Sequence, residues 1–410
     1  MSSESASLPL EQLGLLNSNQ QVSLPQALLR MLNYNHQTGL CQKGWNDITL
    51  ALIFATCFLL VKGYLYKAVF PPIADRMGLP QSRITRAKFS EQFWLMLCHF
   101  FSFTFGALLL IGRDYGSAAI GKREGLKHFW VGYPFDYKYL DPVFKLYYMG
   151  VIGYWFHHCA ALAIESYQRS AVEKAKAHGK KTKYAVPKRS DFYALAVHHF
   201  VTVSLLSMSY YMNFTRVGHV VLVLLDLADV ILPFAKIMRY AGQKTICDVS
   251  FAVFTVSWVL TRHYYLFHIC LSIWRDTLIY IPEQSRHWDP WGAECFYSFK
   301  VYYMFLGLFC ALQVLLLYWL ALILKVVLKV ISGAGAEDVR SDNEEDEEVD
   351  ETSATAKTAP RKEGERKQKT KPSLAGQQAR RTAAKMAFSQ GASGLADGLA
   401  VREGDVRRRR

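Results

Sequence analysis

Two adjacent histidines, His198 and His199, lie in the apolar run 191–211, and two aspartates, Asp226 and Asp229, lie in the next run, 216–237. Each run is long enough to cross a bilayer, so four ionisable groups sit where hydrocarbon penalises them. An aspartate at a helix centre costs about 2.5 to 3.5 kcal/mol on translocon scales. Groups retained at that cost are functional candidates. Imidazole titrates close to neutral pH and can move a proton or attack an electrophile, while a carboxylate can orient it or attract an ammonium.

Helical spacing sorts these residues. Asp226, Asp229, Pro233, Lys236 and Tyr240 fall on one stripe of their helix. Asp191, Leu195, His198, Thr202, Leu205 and Ser209 share a face of the preceding one. Adjacent residues differ by about 100° around the axis. The polar stripe therefore assigns His198 to the site and His199 to a supporting contact or a second ligand. Three plainer readings compete: a histidine bonding a neighbouring helix, Asp229 paired with Lys236 or Arg216, and a His/Asp metal site. With no third histidine or cysteine beside the four, no metal is expected. The other histidines of the apolar runs read as packing, with His157 and His158 the first to check. Asn213-Phe-Thr215 matches a glycosylation sequon, but its tight turn against the membrane makes it structural.

The surrounding chain must position this set in a bilayer. Of its 410 residues 51% are hydrophobic and 14% aromatic, and the apolar residues come in blocks. About seven blocks have the length of a span: 48–69, 92–112, 145–165, 191–211, 216–237, 246–272 and 300–329. The expected fold is an all-α polytopic membrane protein. No cleaved signal peptide is evident, so the first span serves as anchor. The eight cysteines are scattered without a CxxC pair, which argues against a zinc knuckle or a disulfide framework.

The net charge of +14 belongs almost wholly to the apolar body, because the segment 337–410 is nearly balanced. The densest basic loop follows the third span and contains Lys180, Lys181, Lys183, Lys188 and Arg189. This loop, the one after the first span and the C-terminal tail share a face, which the positive-inside rule makes cytosolic. Basic loops beside spans meet anionic lipid or a phosphorylated substrate, so no nucleic-acid partner is expected. Residues 1–46 read as mobile or lightly docked. Pro71-Pro72 is expected to end the first helix. Only Met212–Thr215 separate the fourth and fifth spans, which makes them antiparallel neighbours. From 333 onward the acidic and then basic tail is expected to be disordered, with a final arginine cluster of the kind that suggests endoplasmic reticulum retention.

The fourth and fifth spans resemble the Lag1p motif of TLC-domain ceramide synthases. The residues that carry it are Lys188-Arg189-Ser190-Asp191-Phe192, His198-His199-Phe200-Val201-Thr202, Ser209 to Asn213, Arg216-Val217-Gly218, Asp226-Leu227-Ala228-Asp229, Lys236 and Tyr240. Lys88 to Trp94, Trp130 to Pro134 and Asp338 to Asp342 also resemble family segments. Leu225 and Ala228 depart from it, standing where many members have histidine and serine.

That resemblance implies a catalytic TLC domain over 85–332, preceded by a first span and basic loop at 47–84. Six helices would form a ring around a lipid tunnel, with the first span outside. The implied reaction joins a fatty acyl-CoA to the amine of a sphingoid base; acyl-CoA is a co-substrate and no cofactor is required. His198 would be general base or acyl-carrying nucleophile, His199 its support, and Asp226 and Asp229 would orient it and attract the ammonium. Asn213, Arg216, Lys236 and Tyr240 are the implied substrate contacts, and the basic-loop residues are placed to hold CoA phosphates. Homo- or hetero-oligomers with other ceramide synthase subunits are compatible with the family. Ser341, followed by acidic residues, is a candidate regulatory phosphosite. The alternatives are a non-catalytic TLC-type lipid-binding or translocon-associated protein, and a membrane acyltransferase with another acceptor.

Overall fold

In hydrocarbon every backbone N–H and C=O must be satisfied within its own segment, and the apolar blocks accordingly fold as helices. A computed structural model describes residues 24–178, 191–283, 286 and 298–332. In chain order the helices are α1 (Leu24–Met31), α2 (Asn46–Tyr64), α3 (Phe70–Arg76), α4 (Arg83–Leu110), α5 (Arg123–Lys127) and α6 (Pro142–Ala177). They continue as α7 (Phe192–Tyr211), α8 (Thr215–Tyr240), α9 (Lys244–Val259), α10 (Leu266–Arg275), α11 (Thr277–Tyr280) and α12 (Phe299–Ile331). Strands β1 (Tyr34–Asn35), β2 (Leu40–Gln42) and β3 (Tyr139–Leu140) form a small antiparallel sheet in that order.

The protein is an all-α polytopic membrane protein. Five stretches are long and apolar enough to cross a membrane: Asn46–Arg76, Arg83–Leu110, Phe192–Tyr211, Lys244–Tyr280 and Phe299–Ile331. The two remaining expected spans are helical as well, as α6 and α8. Helix packing closes a ring in which α4 meets α8, α8 meets α9, α9 and α10 meet α12, α12 meets α7, α7 meets α6, and α6 meets α4. α2 packs on α6 outside that ring. Small residues permit the close approaches. A Cβ added at Gly106 of α4 would stand 2.8 Å from Val223 of α8, and one at Gly153 of α6 would stand 2.7 Å from the Ala51 carbonyl of α2.

Two expectations need correcting. Pro71-Pro72 does not end the first helix: a π turn at Leu65–Val69 leads into α3, whose opening positions the prolines occupy. There the missing N–H has no intrahelical partner to lose. Within the N-terminal segment, residues 24–46 are firmly docked. Lys145 of α6, fully buried, donates to the carbonyls of Leu32 (2.9 Å) and Gln42 (2.6 Å) and pairs with Asp47 at 2.6 Å. The loop 111–141 caps the same end of the ring. Tyr133 stacks on Phe214 at 4.9 Å and donates to the Met212 carbonyl, and Trp130 donates to Ser272 at 2.9 Å. Residues 1–23, the segment 179–190 and the tail from 333 lie outside the described residues.

Candidate functional site

Asp226 and Asp229 project from the middle of α8, one turn apart, and each finds its partner on a different helix. Asp226, 7% exposed, meets His99 of α4, with Oδ1 2.8 Å from Nδ1. A carboxylate can only accept, so Nδ1 carries a proton, and Nε2 lies 3.2 Å from the Tyr154 hydroxyl on α6. The Tyr154 ring lies 4.4 Å from that of His158, which lies 6.1 Å from that of His199. A chain of polar rings thus runs from α8 through α4 and α6 to α7.

Asp229 is paired with Arg262 at 2.7 Å. The same guanidinium donates to the Leu225 carbonyl at 2.8 Å and lies over the Trp258 ring at 4.1 Å. Arg262 belongs to a π turn, Leu260–Tyr265, that joins α9 to α10. Such turns shift the register of a helix face and recur at functional sites.

His198 is held by aromatic edges, 5.2 Å from Trp319 of α12 and 5.7 Å from Trp155 of α6, with Thr202 Oγ1 3.4 Å from its Nδ1. Trp319 in turn donates to Asp191 at 3.4 Å. The direct orientation of His198 by Asp226 and Asp229 is therefore corrected: the aspartates bond to His99 and Arg262, while Trp319, Trp155 and Thr202 set the His198 ring. His99 is likewise more than packing, and the partner of Asp229 is Arg262 rather than Lys236 or Arg216.

His99, Asp226 and Asp229 place three potential ligand atoms within 4.8 Å of one another. His99 and Arg262 already engage both carboxylates there. Inside the ring lies an apolar cavity of about 70 Å³, lined among others by Thr202, Leu205, Val221, Leu225, Phe305 and Phe309. It runs from the level of Thr202 toward the capped end.

The substrate contacts expected from sequence separate. Lys236 and Tyr240 continue the Asp229 stripe toward the end of α8. Asn213 and Arg216 sit at its opposite end and do not join the site. Asn213, 2% exposed with φ 62°, accepts from Lys43, and Arg216 donates to the His128 carbonyl (2.9 Å) while stacking 3.8 Å over Tyr137. Both fasten the cap, because the short α7–α8 turn places them against it. Lys180, Lys181, Lys183, Lys188, Arg189 and Ser341 lie outside the described residues. The residues missed from sequence are His99, Tyr154, Trp155, Arg262 and Trp319. Arg262 carried one legible signal, a cation within an apolar run, which requires an acidic partner somewhere in the bundle.

Comparison with known proteins gives these side chains a context. The TLC domain family matches residues 88–325. Sphingosine N-acyltransferase lag1 of Schizosaccharomyces pombe is 31% identical over 316 residues, covering 76% of this chain and 71% of that protein. Ceramide Synthase FUM18 of Gibberella moniliformis is 28% identical over 334 residues, 76% of this chain and 70% of the relative. Ceramide synthase 1 LOH3 of Arabidopsis thaliana is 34% identical over 232 residues, 55% and 66% respectively.

Proposed function

This chain belongs to the TLC-domain family of ceramide synthases, and we propose that it transfers a fatty acyl group from acyl-CoA to the amine of a sphingoid base, at a His/Asp site within the bilayer. The observation that carries the reading is the buried constellation itself. Thr202, which contacts His198, lines the ring cavity, and a separate Asp226–His99–Tyr154 system is built across α8, α4 and α6.

An alkyl ammonium titrates near 10, so the amine must lose a proton before it can attack at neutral pH. In this reading Thr202 engages Nδ1 of His198, and Nε2 attacks the thioester carbonyl. The C–S bond breaks, CoA leaves as the thiol with the proton that Nδ1 of His198 gives up, and a neutral acyl-imidazole remains. The ammonium gives one proton to the Asp226–His99 pair, the free amine attacks the acyl carbon, the C–N bond to His198 breaks, and the remaining surplus amine proton returns to the departing imidazole. His199 supports the ring through Trp155, and Arg262 holds Asp229 in place. Lys236 and Tyr240 line the approach on α8, and the basic loop with Lys180, Lys181, Lys183, Lys188 and Arg189 binds CoA phosphates on the cytosolic face. The loop charges support a cytosolic face that carries the basic loop and the tail, in keeping with residence in the endoplasmic reticulum membrane.

The test is purified protein in detergent with a panel of acyl-CoAs and sphingoid bases, followed by mass spectrometry after acyl-CoA alone. Expected are N-acyl product from wild type, none from His198→Ala, and an acyl group on His198. Turnover in His198→Ala rules out His198 as the reacting residue. Turnover by wild type with no acyl-histidine under the same conditions makes it a general base.

A further inference from the structure

A second apolar space, of about 490 Å³, lies outside the ring between α2, α4 and α6. Its volume falls in the range of sites that hold a small-molecule ligand. Val61, Phe101 and Phe105 on its rim are 48%, 66% and 44% exposed, so it faces the side of the bundle where hydrocarbon would lie. Its wall is apolar along α2 and α4, but its floor holds His99, Tyr154 and Asp226. The second carboxylate oxygen of Asp226, Oδ2, is buried without a hydrogen-bond partner among the described residues. A buried carboxylate oxygen left without a partner is costly. An apolar groove whose lining includes an incompletely bonded carboxylate is complementary to an ammonium on a long alkyl chain.

The cleft is separate from the ring cavity. Consecutive residues of α8 serve the two spaces, Leu225 facing the cavity and Asp226 the cleft. Trp155 is the partition on the α6 side: it lines the cleft and its ring lies 5.7 Å from His198 and 5.5 Å from His199. A ligand in the cleft therefore shares its lining with a tryptophan whose ring meets His198.

Resting on the function proposed above, we infer that this outer cleft is the binding site of the acceptor: the sphingoid base enters sideways from the bilayer between α2 and α4, with its ammonium at the Asp226 carboxylate and its alkyl chain along α2 and α4. Asp229 is already answered by Arg262, and the incoming ammonium completes the second carboxylate. The first helix, outside the ring, thereby acquires a task as the outer wall of a substrate site.

Gly150 of α6 lines the cleft, and a Cβ there would meet nothing within 4 Å, so side chains of increasing size can be inserted into open space. Gly150→Ala, Gly150→Leu and Gly150→Phe should raise KM for the sphingoid base in that order, about tenfold or more for Phe. KM for acyl-CoA should stay within about twofold, and acylation of His198 by acyl-CoA alone should persist. Unchanged KM for the base in a folded Gly150→Phe protein would make the cleft a lipid-filled seam, and a rise confined to acyl-CoA would assign it to the donor. A second measurement needs no variant: wild type is photolysed with a sphingoid base carrying a diazirine in its tail. Labelling of Phe58, Phe101 or Phe105 supports the assignment, and labelling only of Phe305 or Phe309 in the ring cavity overturns it. Failure of the function reads differently, since wild type would then yield no N-acyl product with any base.

Discussion

His99 and Asp226 are 127 positions apart in the chain and meet at 2.8 Å across α4 and α8. Because the carboxylate only accepts, this contact keeps a proton on Nδ1 and turns Nε2 toward Tyr154. The pair can receive a proton at Asp226 and spread the charge into an imidazole that a tyrosine already holds. His99→Ala and Asp226→Asn should each lower kcat by about 10²-fold or more, in the range of a lost acid–base group. The double variant should lose much less than the product of the two, because both changes disable one unit. His99→Asn, which can still donate from nearly the Nδ1 position, should retain more activity than His99→Ala. Steady-state rates of all four proteins check this, and multiplicative losses would separate His99 from Asp226.

Arg262 and Asp229 form an ion pair with unequal burial, the side chains being 5% and 34% exposed. The better-buried partner suffers more when left alone, since it cannot turn to water. Asp229→Asn, which strands the guanidinium, should therefore lower the thermal midpoint more than Arg262→Met, which leaves a carboxylate that can be solvated. Activity should fall in both, because Arg262 also holds the Leu225 carbonyl beside Asp226. Thermal unfolding in detergent decides the order, and the reverse order would mean that the carboxylate is the more deeply desolvated group.

How far the sequence reached depends on the range of the physics involved. Apolar blocks are local, and every expected span is helical, from α2 through α12. The shared stripe of Asp226 and Asp229 is also local, since it needs only 3.6 residues per turn. Partners are not local. Nothing in the run 92–112 indicates that His99 faces Asp226, or in 246–272 that Arg262 reaches Asp229 through a π turn. Aromatic contacts such as Trp319 on His198 are equally hidden, because tryptophan in an apolar run reads as core. Asn213 and Arg216 misled for the opposite reason: they adjoin the motif in sequence, but the helix carries them to the far end of the bundle.

Helix α2 owes its seat to Gly153. An added Cβ would stand 2.5 Å from Phe54 Cβ and 2.7 Å from the Ala51 carbonyl, and backbone cannot yield to it. Gly153→Val should push α2 off α6 and widen the space between them. The expected outcome is a lower thermal midpoint and loss of acyl transfer, with Gly153→Ala in between. Cysteine cross-linking between α2 and α6 reports the displacement directly. Wild-type stability in Gly153→Val would show that the α2–α6 seam is loose.

Lys43 gives the cap a pH dependence of calculable sign. The residue is only partly buried, but its ammonium is drawn inward onto the Tyr210 carbonyl at 2.6 Å and the Asn213 side chain, 4.9 Å from the centre of the Tyr210 ring. Burial lowers its pKa to about 7, against the pull of Asp47 in the other direction. In the unfolded chain the same amine stays protonated to about 10.4. Between those two values the unfolded state binds more protons than the folded one, so stability rises with pH through that window. Below about 7 both states are protonated, and the contribution of Lys43 is constant and unfavourable. Thermal midpoints of wild type and Lys43→Met, measured in detergent from pH 6 to 10, isolate this group. The wild type should gain on the variant as pH rises above about 7, after allowing for the contacts that methionine cannot make. Parallel curves would mean that the carbonyl partners hold Lys43 fully charged in the folded cap.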